Sequence, residues 1–459
     1  MCSALSYWGL WIVGVRVAVG RRGGPAVVLM VLCALLVGCS VAGPSSGPSA
    51  QGAAPPAGAA NESAPQHGTG SPGGGLDMPS VVAPADLALQ LEALLGQHSV
   101  LVADMMRGRI REDEDFGQAA NAAVGRNTDE LAAVLGSLIG QQGADEFHRL
   151  WAKHVAAFFS YSRGLATNDA AARDEARAQL IEYENEVAEF FSAASQGRLP
   201  REGARAAAQA HVGHLLDQAD AYAAGDYARA DELYRESYNH LFGAGHALAA
   251  AVVAPAQAAA LEQPSWRLRS ELQRLLGEHV ALTVAALRAG ATNSPDFPTA
   301  GQALNANTRD LAAAVGTLFG APAGQQFMTL WADHVDQLVA YTAGVAANDE
   351  GRREAALSRL SELENQLAGF FGSATGSTSS SPNLAQGFLA HNEMLTRQVD
   401  AFVGKDYLQT HELAGDAYQG MFGLSGQLAD AVGGSVAARL PQGGAETGAG
   451  GTAGAPGTR

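Results

Sequence analysis

The sequence predicts an all-α protein whose helices are joined in hairpins. Apolar-face positions recur at helical spacing, as in Leu94, His98 and Leu101, so these residues share one face of a helix. The strict alternation that is typical of strands is not found in the sequence. Short turn-forming segments, such as 168–169 (Asn-Asp) and 225–226 (Gly-Asp), separate the periodic stretches.

An internal repeat sets the organisation of the chain. The segment 150–154 (LWAKH) returns as 330–334 (LWADH), and further segments on both sides return at a similar offset. We therefore predict two tandem six-helix modules, each made of three helical hairpins, over residues 83–253 and 266–433. The link between them, 255–264, begins and ends with proline.

A histidine stands on the apolar face of the first helix of every predicted hairpin. The six residues are His98, His154 and His211 in the first module and His279, His334 and His391 in the second. The hairpin turns are expected around 109–115, 168–169, 225–226, 293–296, 348–349 and 405–406. The pairs Asn127-Thr128 and Asn168-Asp169 have side chains that suit the N-cap of a helix.

The N-terminus predicts export and a lipid anchor. Arg21 and Arg22 precede an apolar stretch, 25–37, which is shorter than the roughly 20 apolar residues of a membrane span. The stretch ends in Leu-Val-Gly-Cys at 36–39, which resembles the lipobox of bacterial lipoproteins. The resemblance implies that residues 1–39 are a lipoprotein signal peptide and that Cys39 is acylated. It also implies an anchor on the extracytoplasmic face of the cell membrane.

Two segments have the composition of disordered chain. Residues 40–80 are dense in Gly, Pro, Ser and Ala and form a predicted tether, and residues 441–459 form a similar tail. Neither has an apolar period, so neither can bury a core.

Charge and cysteine content exclude several classes of function. The formal net charge of −17 repels phosphate backbones, so we expect no nucleic-acid partner. The three cysteines, Cys2, Cys33 and Cys39, all lie at or before the proposed cleavage point. We therefore expect no disulfide framework and no thiolate metal site in the mature chain.

One interpretation of the six repeated histidines is structural. A buried imidazole is costly unless its nitrogens find partners. Amides lie at a matching depth on the second helices, and each offers a hydrogen-bond partner. These residues are Asn127, Asn185, Asn239, Asn307, Asn365 and Gln419.

The other interpretation is a metal site in each module. Three neutral imidazoles with an open position suit copper or zinc, and haem is a further possibility. His214 and His240 are additional candidate ligands in the first module, whereas Met394 and Gly420 stand at these positions in the second. His67, His148 and His411 are expected to be solvated.

Catalytic patterns are missing from the sequence. A di-iron bundle needs Glu-x-x-His pairs, and this spacing does not occur. No serine stands on a strand–turn–helix elbow, and the mature chain has no free thiol apart from the acylated Cys39. We therefore do not expect an enzyme.

The body of the chain resembles a known helical repeat of exported bacterial proteins. The pattern L-L-x-[EQ]-H, then L-W-x-x-H, then A-H, then [GK]-D-Y, is similar to a repeat sometimes labelled copper amine oxidase-like, over about 83–433. The label implies a copper site and a quinone made from Tyr in Asn-Tyr-Asp/Glu. That tripeptide does not occur here, so the enzymatic implication is rejected.

Two main functional classes follow. One is an anchored structural or interaction module of the cell envelope, with an unknown envelope protein or polymer as its partner. The other is an anchored copper- or zinc-binding protein. A third interpretation is the capture of a small ligand in an apolar pocket lined by Trp151, Phe158 and Tyr161.

Overall fold

The computed structural model describes residues 84–376 and 381–439. The predicted signal peptide (1–39, with Cys39), the tether (40–80) and the tail (441–459) lie outside the described residues. The described stretches form thirteen helices and contain no strand, which confirms the all-α class. Within these stretches, no helix has both the length and the apolar character needed to cross a bilayer.

The helices follow one another with short connections. They are α1 (Pro84–Ile110), α2 (Glu114–Ile139), α3 (Gln141–Ala166), α4 (Ala170–Ala194), α5 (Arg201–Ala223), α6 (Tyr227–Val252), α7 (Pro255–Leu261), α8 (Pro264–Thr292), α9 (Phe297–Phe319), α10 (Ala321–Ala347), α11 (Glu350–Thr375), α12 (Ser381–Val403) and α13 (Tyr407–Arg439).

Turn chemistry fixes where the helices begin and end, and the predicted turns are found at these places. Asp169 caps α4, where its carboxylate accepts a hydrogen bond from the amide of Ala172. Asn348 ends α10 in the left-handed conformation, which asparagine tolerates better than most residues. The prediction for Asn127-Thr128 is wrong, because both residues lie buried in the middle of α2.

Two helices occupy the interior of the bundle. Helix α1 packs against α2, α3, α5 and α6, and α8 packs against α9, α10, α12 and α13. The helices α1 and α8 also contact each other, while α2 packs against α13 and α6 against α9. The histidine-bearing helices α1, α3 and α5 therefore meet in one interior, and α8, α10 and α12 meet in another.

Candidate metal centres

Three buried histidines converge where α1, α3 and α5 meet. His98, His154 and His211 are at most 2% exposed. One ring nitrogen from each lies within 4.8 Å of the others, and Nε2 of His98 is 3.1 Å from Nε2 of His154. We call these residues the first triad.

A second cluster of the same kind lies where α8, α10 and α12 meet. His279, His334 and His391 are at most 3% exposed, and their ring nitrogens also come within 4.8 Å of one another. Their ring centroids are 5.6–5.7 Å apart. We call these residues the second triad.

Helical spacing and aromatic packing place the imidazoles. Trp151, His154 and Phe158 follow one another at intervals of three and four residues, so all three face inward from α3. The ring of His154 stacks on Tyr183 of α4 at 4.3 Å between centroids, with 10° between the planes. Phe158 meets His211 edge-on at 5.9 Å. These contacts exclude water and fix the rings of the first triad.

Burial keeps all six imidazoles neutral. Loss of hydration lowers the pKa of His154 to about 3 and that of His334 to about 4. The pKa of His98 falls well below its usual range, first because of burial and then because of repulsion from His154 and His211. Neutral imidazole is the form that binds metal, so protons do not compete for these nitrogens near pH 7.

A tryptophan fixes the tautomer of the first histidine in each triad. The indole N–H of Trp151 donates to Nδ1 of His98 at 3.1 Å, and that of Trp331 donates to Nδ1 of His279 at 3.3 Å. Because Nδ1 accepts, neutral His98 carries its proton on Nε2, which faces His154. A metal ion at this Nε2 would displace the proton to Nδ1 and deprive the indole of its acceptor. The repeated tryptophan of the Trp-x-x-His pattern signals this contact, although our sequence interpretation did not use it.

Several nitrogens of the triads have no hydrogen-bond partner in the described part of the chain. They are Nε2 of His334 and both ring nitrogens of His211 and His391. A buried polar atom without a partner costs about 1–3 kcal/mol. A metal ion would satisfy several of these nitrogens at once.

The predicted amide partners mostly bond elsewhere. Asn127 approaches His98 and partly offsets the fall in the pKa of that histidine, but its Nδ2 donates to the carbonyl of Leu94. Asn307 donates to the carbonyl of Leu275 in the same way. Asn185 donates to the carbonyl of Ile181, and Asn365 donates to that of Ser361. Asn239 donates to the carbonyl of Arg235 and to Glu278, and Gln419 donates to Glu130. The prediction of an amide partner for each histidine is therefore wrong.

The additional candidates of the first half are not members of the first triad. His214 and His240 are half-buried, and their ring centroids lie 5.4 Å from each other. Neither belongs to the cluster whose nitrogens lie within 4.8 Å. His148 is exposed, as predicted, and bonds Asp129 at 3.0 Å.

The prediction that His411 is solvated is wrong. The residue is 2% exposed and packs against Phe116 at 4.9 Å between ring centroids. A signal for this was available in the repeat, because the offset that relates Trp331 to Trp151 also relates position 411 to Asp231, which is buried as well.

Comparison with known proteins gives no relative on which to base a function. No family model, no curated protein and no solved structure matches this chain.

Proposed function

We propose that this protein binds one transition-metal ion, copper or zinc, at each of its two histidine triads. The observation that carries the proposal is the convergence, twice in one chain, of three neutral imidazoles that include unpartnered nitrogens. A purely structural core histidine is normally hydrogen-bonded. In each triad three histidines point at one another and some of their nitrogens have no hydrogen-bond partner. This is the arrangement expected of side chains that bind a metal ion.

The spacing of the nitrogens fits one ion in the first triad. Two nitrogens bound at about 2.0–2.1 Å to a tetrahedral zinc ion lie roughly 3.3 Å apart. The 3.1 Å between Nε2 of His98 and Nε2 of His154 is close to that value. The same distance suits a hydrogen bond between the two rings, which is the arrangement that the indole of Trp151 favours in the metal-free protein.

Charge distinguishes the two metals. Neither triad includes a carboxylate, so a bound divalent ion would leave two positive charges in a water-free site. Copper(I) would leave one. Imidazole binds both metals well, and the lower buried charge therefore favours copper(I) over zinc at equilibrium.

The setting of these sites is also part of the proposal. We infer two six-helix modules, 83–253 and 266–433, on the basis of the constant offset that relates Trp151 and His154 to Trp331 and His334. The motif that ends at Cys39 supports a lipid anchor on the extracytoplasmic face of the membrane. A tethered pair of triads would then serve metal handling in the cell envelope.

Metal content tests the proposal directly. The full chain, purified in detergent and stripped with a chelator, is titrated with copper(I) or Zn²⁺ against a competing indicator. We expect about two ions per chain. A final content below about 0.2 ion per chain would reject metal binding and leave the structural or interaction role.

Two matched variants locate the ions. His211→Asn and His391→Asn each remove a ligand that has no hydrogen bond to lose, so each should reduce the content from about two ions to about one. His148→Asn, at an exposed position of α3, is the control and should leave the content unchanged. If the histidines are only structural, His211→Leu should instead stabilise the protein with no change in metal content, because it removes two unsatisfied polar atoms.

A further inference from the structure

A second pair of imidazoles lies beside the first triad. His214 follows His211 by about one turn of α5, and His240 approaches from α6. Their rings meet edge-on, with 5.4 Å between centroids. The pair is close to the triad, because His211 and His214 lie three residues apart on the same side of α5.

The two rings offer nitrogens that are free to bind. Nε2 of His240 lies 2.9 Å from the carbonyl oxygen of Ala207 and donates its hydrogen there. With this hydrogen on Nε2, Nδ1 can offer its lone pair to a metal ion, which is the arrangement that commonly orients metal-binding histidines. Nδ1 of His214 is buried and has no hydrogen-bond partner in the described residues.

An open cavity connects His214 with the solvent. It has a volume of about 730 Å³, and Glu232 and Glu236 line it together with His214. Arg229 pairs with both glutamates, and Arg235, which also lines the cavity, pairs with Glu278 and Asp310. A hydrated cation can therefore reach His214, whereas the triad behind it is closed to water.

The second triad has different chemistry at the corresponding place. Met394 stands in the same position relative to His391 as His214 does relative to His211, and Gly420 is the counterpart of His240 in the repeat. A Cβ placed on Gly420 would lie 3.1 Å from Cε of Met394, so the thioether covers the space beside this glycine. A thioether is a soft ligand that prefers copper(I), whereas imidazole also accepts zinc and copper(II).

We infer that His214 and His240 form a loading site that passes divalent ions such as Zn²⁺ to the first triad, and that Met394 takes this place for copper(I) at the second. The inference rests on the proposed function, because it assumes that the triads bind metal. The physical reason is that a buried triad must receive an ion that has already lost part of its water. Two half-buried imidazoles replace that water one turn from His211, and they release the ion because a third ligand is not assembled there.

The rate of zinc uptake tests the inference. The parent protein carries His391→Asn, so that only the first triad binds. The variant adds His214→Met and His240→Gly, which gives the first triad the side chains found beside the second. Stopped-flow mixing of the stripped proteins with Zn²⁺ and an indicator should show uptake at least about tenfold slower in the variant. The final content should remain about one ion per chain in both proteins.

Each other outcome has a definite meaning. An unchanged rate with unchanged content would overturn the loading site and leave the proposed function intact. A lower final content in a folded variant would make His214 and His240 permanent ligands and would also overturn the inference. A parent that binds neither Zn²⁺ nor copper(I) would reject the proposed function at the first triad. Because the double substitution could disturb packing, His240→Gln alone is the second variant, with helix content and melting measured on both.

The converse comparison uses copper(I). In the His211→Asn background, where only the second triad binds, Met394→Leu keeps the volume and removes the sulfur. We expect about tenfold slower copper(I) uptake from a copper(I)–chelator complex and no change in Zn²⁺ uptake. Equal copper(I) rates for the two proteins would contradict the role of Met394.

Discussion

The hydroxyl of Tyr238 lies 3.1 Å from the hydroxyl of Tyr418, and the two residues occupy corresponding positions of the repeat. Tyr418 donates its hydrogen to the carbonyl of Ala93 on α1, and Oη of Tyr238 lies 3.1 Å from the carbonyl oxygen of Arg274 on α8. Corresponding residues of the two halves thus meet at the contact between α1 and α8. Because both tyrosines are buried, a substitution that disturbs this contact should change the free energy of unfolding.

Gly277→Ala should destabilise the protein. A Cβ at Gly277 would lie 2.5 Å from Oη of Tyr238 and 2.9 Å from Cε2 of Tyr418. Overpacking of this kind costs about 1–3 kcal/mol, which exceeds the roughly 1 kcal/mol that alanine gains over glycine in a helix. Gly243→Ala is the control, because nothing lies within 4 Å of its Cβ, and it should stabilise. Urea unfolding measures both, and a stabilised Gly277→Ala would show that the tyrosines move freely.

Two buried arginines at corresponding positions have unequal partners. Arg107 donates from Nη1 to Asp231 at 2.9 Å and from Nε to Gln218 at 3.1 Å. Its counterpart Arg288 has His411 where Arg107 has Asp231, and it donates instead to Asp104 at 2.8 Å. Nε and Nη2 of Arg288 and both ring nitrogens of His411 have no hydrogen-bond partner among the described residues.

His411→Asp should therefore stabilise the protein at pH 7. A carboxylate at this position would accept from the unpartnered nitrogens of Arg288 and remove an unsatisfied imidazole, with a gain of about 1–3 kcal/mol. The reverse change, Asp231→His, would deprive Arg107 of its buried carboxylate and should cost about 3–5 kcal/mol. Denaturant unfolding of both variants is the measurement. Loss of stability in His411→Asp would mean that the arginine cannot turn toward position 411.

The metal-free protein should lose stability as the pH falls below 6.5. In the folded protein the pKa of His154 is about 3 and that of His334 is about 4, both lowered from 6.5. As the pH falls below 6.5, the unfolded chain therefore binds protons at these histidines that the folded protein does not bind. The contribution of these two histidines to stability is then fully present above pH 6.5. It declines by about 1.4 kcal/mol per pH unit for each such histidine, down to pH about 3 or 4. Urea unfolding at pH 7, 6 and 5 measures this slope.

A variant assigns part of that slope to one residue. In His154→Gln the slope between pH 6.5 and 5 should be smaller by about 1.4 kcal/mol per pH unit, whatever the absolute stability of the variant. An identical slope in the two proteins would place the acid-sensitive groups elsewhere.

Trp151→Phe should strengthen metal binding at the first triad. The indole N–H holds the proton of His98 on Nε2, and a metal ion there would leave the indole donor without an acceptor. Removing the donor removes a cost of about 1–3 kcal/mol, which corresponds to roughly 5- to 150-fold in affinity. Competition titration in the His391→Asn background measures the change. A weaker site would show instead that the indole holds His98 in place for the ion.

Local features of the sequence were sufficient to predict the helices and the face of each helix that is buried. The spacing around Trp151 and His154 and the cap residue Asp169 act within one or two turns of chain, so their effect does not depend on distant residues. The same local logic placed all six repeated histidines on buried faces. It failed at Asn127, where a good capping side chain lies in mid-helix because it bonds a carbonyl of α1 rather than the start of α2.

The sequence by itself determined an all-α chain with a repeated histidine on the buried face of the first helix of each hairpin, because periodicity and turn chemistry are local properties. Only the tertiary structure decided that these histidines meet three by three. It also decided that Trp151 selects the tautomer of His98. Each of these facts depends on how helices that are distant from each other in the chain pack together, and the same apolar stripe is compatible with many such packings.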